Sequence, residues 1–171
     1  MAVEFVVEDG TQRSDATSYL SAADADQALE NLGLKDSAWD AATKTVALNN
    51  ATRYIERKYR GRFVGRRASE DQALEWPRSD AEDHDEYAYD TDEIPQGVKN
   101  ALALLAKAYV DDGSLESDVT AADSGIVSER IRVGDVETAT THQGRATQKR
   151  YLAAERELSH LVISGHRIER A

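Results

Sequence analysis

The chain contains no cysteine. Disulfides, thiolate metal sites and cysteine nucleophiles are therefore excluded. Large apolar side chains are also scarce. Leu, Ile, Val and Phe together make up about 19% of the 171 residues, close to the ~20% at which highly charged chains stay disordered. No long hydrophobic run is present. The longest, Ala101 to Ala106, is bounded by Lys99, Asn100 and Lys107, far short of the roughly 20 residues that span a bilayer. The first ten residues carry Glu4, Glu8 and Asp9, the reverse of the basic start of a signal peptide. A soluble protein without membrane association is expected. Basic charge is in deficit as well: 21 Lys and Arg against 32 Asp and Glu leave a formal charge of −11. That balance argues against a general nucleic-acid binder, which needs basic surface to displace phosphate counterions.

Catalytic patterns are missing too. His84, His142, His160 and His166 fall in no metal-ligand spacing. The stretch Asp80-Ala-Glu-Asp-His-Asp-Glu86 offers oxygen ligands for a hard cation. It lacks the spaced loop closed by a bidentate Glu, and reads as a solvated acidic loop. Gly61-Arg-Phe-Val-Gly65-Arg-Arg67 lacks the Lys-Ser/Thr ending of a phosphate-binding loop. No nucleophile comes with a recognisable partner. The chain is read as non-enzymatic, with no cofactor and no metal.

Alanine, with 26 copies, supplies much of the apolar content. It favours helix but buries little area. The expected fold is therefore mainly α, a small helical bundle with one β-hairpin. Val3 to Val7 is a short β-prone run stopped by Asp9-Gly10. Ser21-Ala-Ala-Asp24 reads as a helix N-cap with an acidic third position, for a helix ending at Gly33. Ser37-Ala-Trp-Asp40 repeats the pattern and predicts one helix to about Arg60, with Leu48, Thr52, Ile55 and Tyr59 on one face. Residues 95–112 are predicted as the central buried helix. Pro95 suits its first position, and Val98, Ala101, Leu102, Leu104, Leu105, Ala108 and Tyr109 cover most of its circumference. Alternation in Val127, Glu129, Ile131 and Val133 predicts a hairpin over about 126–138, with 138–144 a flexible loop. A last helix over about 146–162 places Tyr151, Ala154, Leu158 and Leu161 together. Residues 1–162 are read as a single domain. Residues 163–171, with Arg167 and Arg170, are read as a tail or partner-binding arm.

Charge is distributed in blocks. Residues 51–78 hold eight bases and four acids, and residues 79–94 hold eight acids and no base. Opposed potentials of this kind orient docking between copies of one subunit. The candidate interface residues are Arg60, Arg62, Arg66 and Arg67 on the basic side and Glu82, Asp83, Asp85 and Glu86 on the acidic side. Trp76 and Arg78, in Gln72-Ala-Leu-Glu-Trp-Pro-Arg78, belong to residue types enriched at interfaces. Buried aromatics mostly serve packing, so the favoured reading of Trp76 is a plug for the core, with the interface anchor as the alternative.

Phe5-Val-Val-Glu-Asp-Gly10, Ser18-Tyr-Leu-Ser21 and Ala25-Asp26 open a series of motifs. Ala51-Thr-Arg-Tyr-Ile55, Arg60-Gly61, Gly65-Arg-Arg67, Gln72 to Arg78 and Asp92-Glu-Ile-Pro-Gln-Gly-Val-Lys99 follow in order. Together they resemble the small head–tail connector (adaptor) proteins of tailed bacteriophages. The resemblance implies a ring, typically of twelve copies, beneath the portal protein in the virion neck. Such a ring would extend the DNA channel, touch packaged duplex DNA transiently and receive a tail-side stopper or tail-completion protein, after assembly in the host cytoplasm. The alternative is a DnaT-like single-stranded DNA-binding protein, a label some relatives of this family carry. Its track would be Arg53 to Arg67, with Tyr54, Tyr59 and Phe63 interleaved for stacking.

Overall fold

The computed structural model describes residues 4–83, 85–115, 126–133, 136–143 and 150–163. The chain divides into two compact units, one formed by residues up to Leu115 and from Tyr151 onward, the other by Glu116–Arg150. The elements are α1 (Ala22–Asn31), α2 (Ser37–Ala41), α3 (Lys44–Tyr59), β1 (Arg66–Arg67), β2 (Arg78–Ser79), α4 (Gln96–Asp112), β3 (Ile126–Val133), β4 (Val136–Gln143) and α5 (Leu152–Leu158). The mainly helical expectation and the central helix hold. α4 packs against α3 and α5 and is also met by α1 and α2.

The buried face of α4 is the apolar stripe visible in its sequence. Val98, Ala101, Leu102, Ala103, Leu105 and Ala106 are all essentially inaccessible. Each large aliphatic side chain removed from water contributes about 1.5–3 kcal/mol. Leu48 and Ile55 of α3, Leu158 of α5, and Leu161 pack into the same core. Two tryptophans, Trp39 and Trp76, are completely buried within it. α4 ends at Gly113, whose φ of +76° closes the last turn in the left-handed region. At Gly97 a Cβ would lie 2.5 Å from the Glu157 carbonyl oxygen. Only glycine allows α4 and the chain of α5 to approach this closely.

Several boundaries differ from expectation. The helix predicted from Ser37 to Arg60 is broken between Ala41 and Lys44. Ala42 is extended there, with ψ at 157°. The reason is Asp26. Its carboxylate accepts the Trp39 indole N–H at 2.7 Å and pairs with Lys44 at 2.7 Å, holding both sides of the break. Asp36, rather than Ser37, caps α2 by accepting the Trp39 backbone N–H at 2.9 Å. The last helix begins at Leu152, not 146. Of the Val3–Val7 run, the described residues 4–7 contribute a single bridge, from Val7 to Ser18, and no strand.

In the second unit, β3 and β4 pair antiparallel in continuous register from Val133↔Val136 to Ile126↔Gln143. The hairpin therefore runs five residues beyond the predicted 138. The threonines of Val136-Glu-Thr-Ala-Thr-Thr-His-Gln143 are β-branched and suit an extended backbone. Arg167 and Arg170 lie outside the described residues.

Candidate nucleic-acid interface

α3 carries four bases, Lys44, Arg53, Arg57 and Lys58, and one acid, Glu56. The two lysines are engaged within the fold. Lys44 pairs with Asp26, and Lys58 reaches Glu155 at 2.7 Å and the Tyr54 hydroxyl at 3.1 Å, tying α3 to α5. Arg53 and Arg57 stand on the exposed side. Arg60, just past the helix end, continues their row at the i, i+4, i+7 spacing that one helical face requires. Its side chain is 77% exposed, with Nε 3.9 Å from the Glu75 carboxylate. Such an exposed, loose pair contributes little. Arg62 is exposed and lies 5.8 Å over the Tyr59 ring.

The one acid of α3 faces inward. Glu56 Oε1 accepts the Tyr19 hydroxyl at 2.5 Å, and Oε2 accepts the Glu75 backbone N–H at 3.1 Å. Burial pushes its carboxyl up to about 7, against the two hydrogen bonds that favour the charged form. Burial, together with the neighbouring Glu56, likewise holds the Tyr19 phenol well above its usual range. α3 thus shows solvent the cations Arg53 and Arg57, while burial favours the neutral form of its single carboxyl.

The remaining basic-side candidates divide. Arg66 bonds Asp80 of its own chain at 2.9 Å, with both side chains exposed. Arg67 donates to the backbone carbonyls of Gln72 (3.1 Å) and Glu70 (3.2 Å), which fixes the 66–72 loop. Trp76 is completely buried, and edge-on contacts with Phe63 and Tyr89 enclose its ring. The Trp76–Pro77 peptide is cis. Arg78 is also buried. Its guanidinium binds Glu75 Oε2 at 2.8 Å and the carbonyls of Val64 and Gly65. Trp76 and Arg78 therefore lie inside the subunit, not on its surface.

The aromatic half of the expected stacking track is inside as well. Phe63 and Tyr59 are buried, and Tyr54 packs edge-on against Tyr151. The sequence already held this signal for Tyr59, which shares the inward face of Leu48, Thr52 and Ile55. Arg53 and Arg57 stood out less in the sequence. The usable signal was the i, i+4, i+7 spacing of Arg53, Arg57 and Arg60.

The acidic stretch is a built turn. Asp83 Oδ1 accepts the backbone N–H groups of Asp85 and Tyr87, both at 2.9 Å, and Glu82 bridges to Ala88. Glu82, Asp85 and Glu86 are exposed, and Asp83 is half-buried. A groove of about 640 Å3 elsewhere on this unit is lined by Asp9, Asp24, Asp92 and Glu93 together with Lys99. Among the described residues, no group of three or more His, Asp or Glu side chains could hold a metal ion. Among the same residues, no helix is long and apolar enough to cross a membrane.

Residues 3–171 match the model of a family described as "Putative DnaT-like ssDNA binding protein". The match covers nearly the whole chain, and the chain belongs to that family. No curated protein matches the chain, and no solved structure does. None of these findings bears on the resemblance to head–tail connectors.

Proposed function

We propose, from membership of that family, that this protein is a non-enzymatic binder of single-stranded DNA. Arg53, Arg57 and Arg60 would contact the phosphates, and Arg62 would extend the row. The observation that carries the reading is the exposed face of α3, which presents arginines while its one acid is turned inward. This local face offers what the overall charge of −11 withholds. Contact with about three phosphates predicts a salt slope near −2 for a single strand, hence about a 20-fold loss of affinity between 50 and 200 mM salt. Fluorescence anisotropy of a labelled dT20 oligonucleotide tests this directly. The Arg53→Glu, Arg57→Glu double variant is expected to abolish binding. No binding by the parent protein at 50 mM salt would end this reading.

A second reading is favoured by different observations. The rings best suited to base stacking are buried, while Glu82, Asp85, Glu86, Asp90, Asp92 and Glu93 are exposed. A surface with separated cationic and anionic faces suits head-to-tail association of copies into a closed ring. This is the adaptor beneath a portal that the motif series implies, with a tail-side protein bound below. Rings of ten or more copies by mass photometry, with no affinity for dT20, would favour it over the first.

A further inference from the structure

A groove of about 680 Å3 runs along α3 beside the N-terminal segment. Its volume lies within the ~300–1,000 Å3 common for small-ligand sites. Phe5, Val46 and Leu74 give it apolar walls, Asn49 adds a carboxamide, and Arg53 and Arg57 line it together with Glu56, whose carboxyl is engaged by Tyr19 and the Glu75 backbone. Val46, Asn50, Arg53 and Arg57 follow the i, i+4, i+7, i+11 spacing, so one stripe of α3 carries both the groove wall and the cations. Asn49 Oδ1 is shielded from water and has no hydrogen-bond partner. A buried acceptor left this way is costly unless a donor reaches it.

We propose that this groove receives one unstacked base of a single-stranded DNA whose adjoining phosphates lie on Arg53 and Arg57. The inference rests on the single-stranded DNA reading and adds to it where the base goes. A base is flat and apolar on its faces and polar at its edge. Those faces match Phe5, Val46 and Leu74, and the polar edge matches the Asn49 carboxamide that lines the groove. The neighbouring phosphates supply the negative charge that the two arginines attract. The buried rings of Tyr59 and Phe63 are not needed, because Phe5 is the half-buried aromatic that lines this groove.

The test compares dT20 with an abasic deoxyribose-phosphate oligomer of equal length, for the parent protein and for Val46→Trp. Val46 is 45% exposed, so the larger ring would fill the groove without entering the core. A thermal melt checks that the variant is folded. The parent is expected to bind dT20 about tenfold more tightly than the abasic strand. Val46→Trp is expected to lower dT20 affinity to the abasic level and to leave abasic binding unchanged. Equal affinity of the parent for both strands, with the salt slope intact, would overturn the base site and spare the arginine contacts. Absence of binding to either strand would overturn both. If Val46→Trp does not fold, the dT20-to-abasic ratio of the parent decides alone.

Discussion

Along α3, Arg53 and Arg57 stand in solvent, and the acid between them is folded away. In Gln72–Arg78 the arrangement is inverted. Arg78 is buried, its charge is matched by Glu75 at 2.8 Å, and its other donors meet carbonyls of the Val64–Gly65 loop. Gln72 in the same segment donates to the carbonyls of Leu74 (2.7 Å) and Pro77 (3.0 Å). The same side-chain type thus serves as an internal clamp in one region and as an exposed cation in the other. Composition alone does not separate the two uses. What separates them is burial: Arg78 is enclosed by the fold, whereas Arg53 and Arg57 are exposed.

The contrast can be broken from its buried end first. Trp76→Ala removes one of the two largest rings from the core and is expected to cost about 3–5 kcal/mol of stability, read as a lower denaturant midpoint. A cost below about 1 kcal/mol would mean that the ring is not the packed centre described here. Arg78→Ala leaves Glu75 as a buried carboxylate without its partner and is expected to cost about 3 kcal/mol. A surface-like effect, within about 0.5 kcal/mol, would place Arg78 with Arg53 instead.

Glu56 lies where the two regions meet and sharpens the comparison through pH. Its carboxyl is near 7 in the folded protein, against 4.5 as its ordinary value. The folded state therefore binds more protons between these limits. The stabilising preference for the neutral form is fully present below about pH 4.5 and is lost as pH rises through 7. The ceiling is about 3 kcal/mol, lowered by the solvent that reaches this partly exposed group. Glu56→Gln is expected to flatten the fall in stability between pH 5 and pH 8, as followed by chemical denaturation. An unchanged slope in the variant would assign the pH dependence to other groups. The smallest stability effect belongs to the exposed end. The double arginine variant used above for DNA binding should melt within the range of ordinary surface substitutions, about 0.5 kcal/mol. Binding loss accompanied by unfolding would remove the distinction between the regions.

Much of the helical unit was legible in the chain. α4 announced itself because apolar residues cover most of its surface, and α1 because Ser21 and Asp24 form a recognisable cap. The break before Lys44 was not legible. No glycine or proline marks it, and its cause, Asp26, lies on another helix. The site was legible only in part. The basic block was plain, yet burial of Arg78 depends on a loop 13 and 14 residues away in sequence, which no local pattern records. Tyr59 was readable as inward from its helical spacing, whereas Phe63 turns back onto Trp76 only after the glycine at 61.

The contact at Gly97 reaches beyond packing. Because a carbonyl of the facing chain occupies the space a methyl group would need, saturation mutagenesis at this codon should return the parent residue almost alone. Descendants of this sequence inherit the separation of the two helices at that point as a fixed dimension.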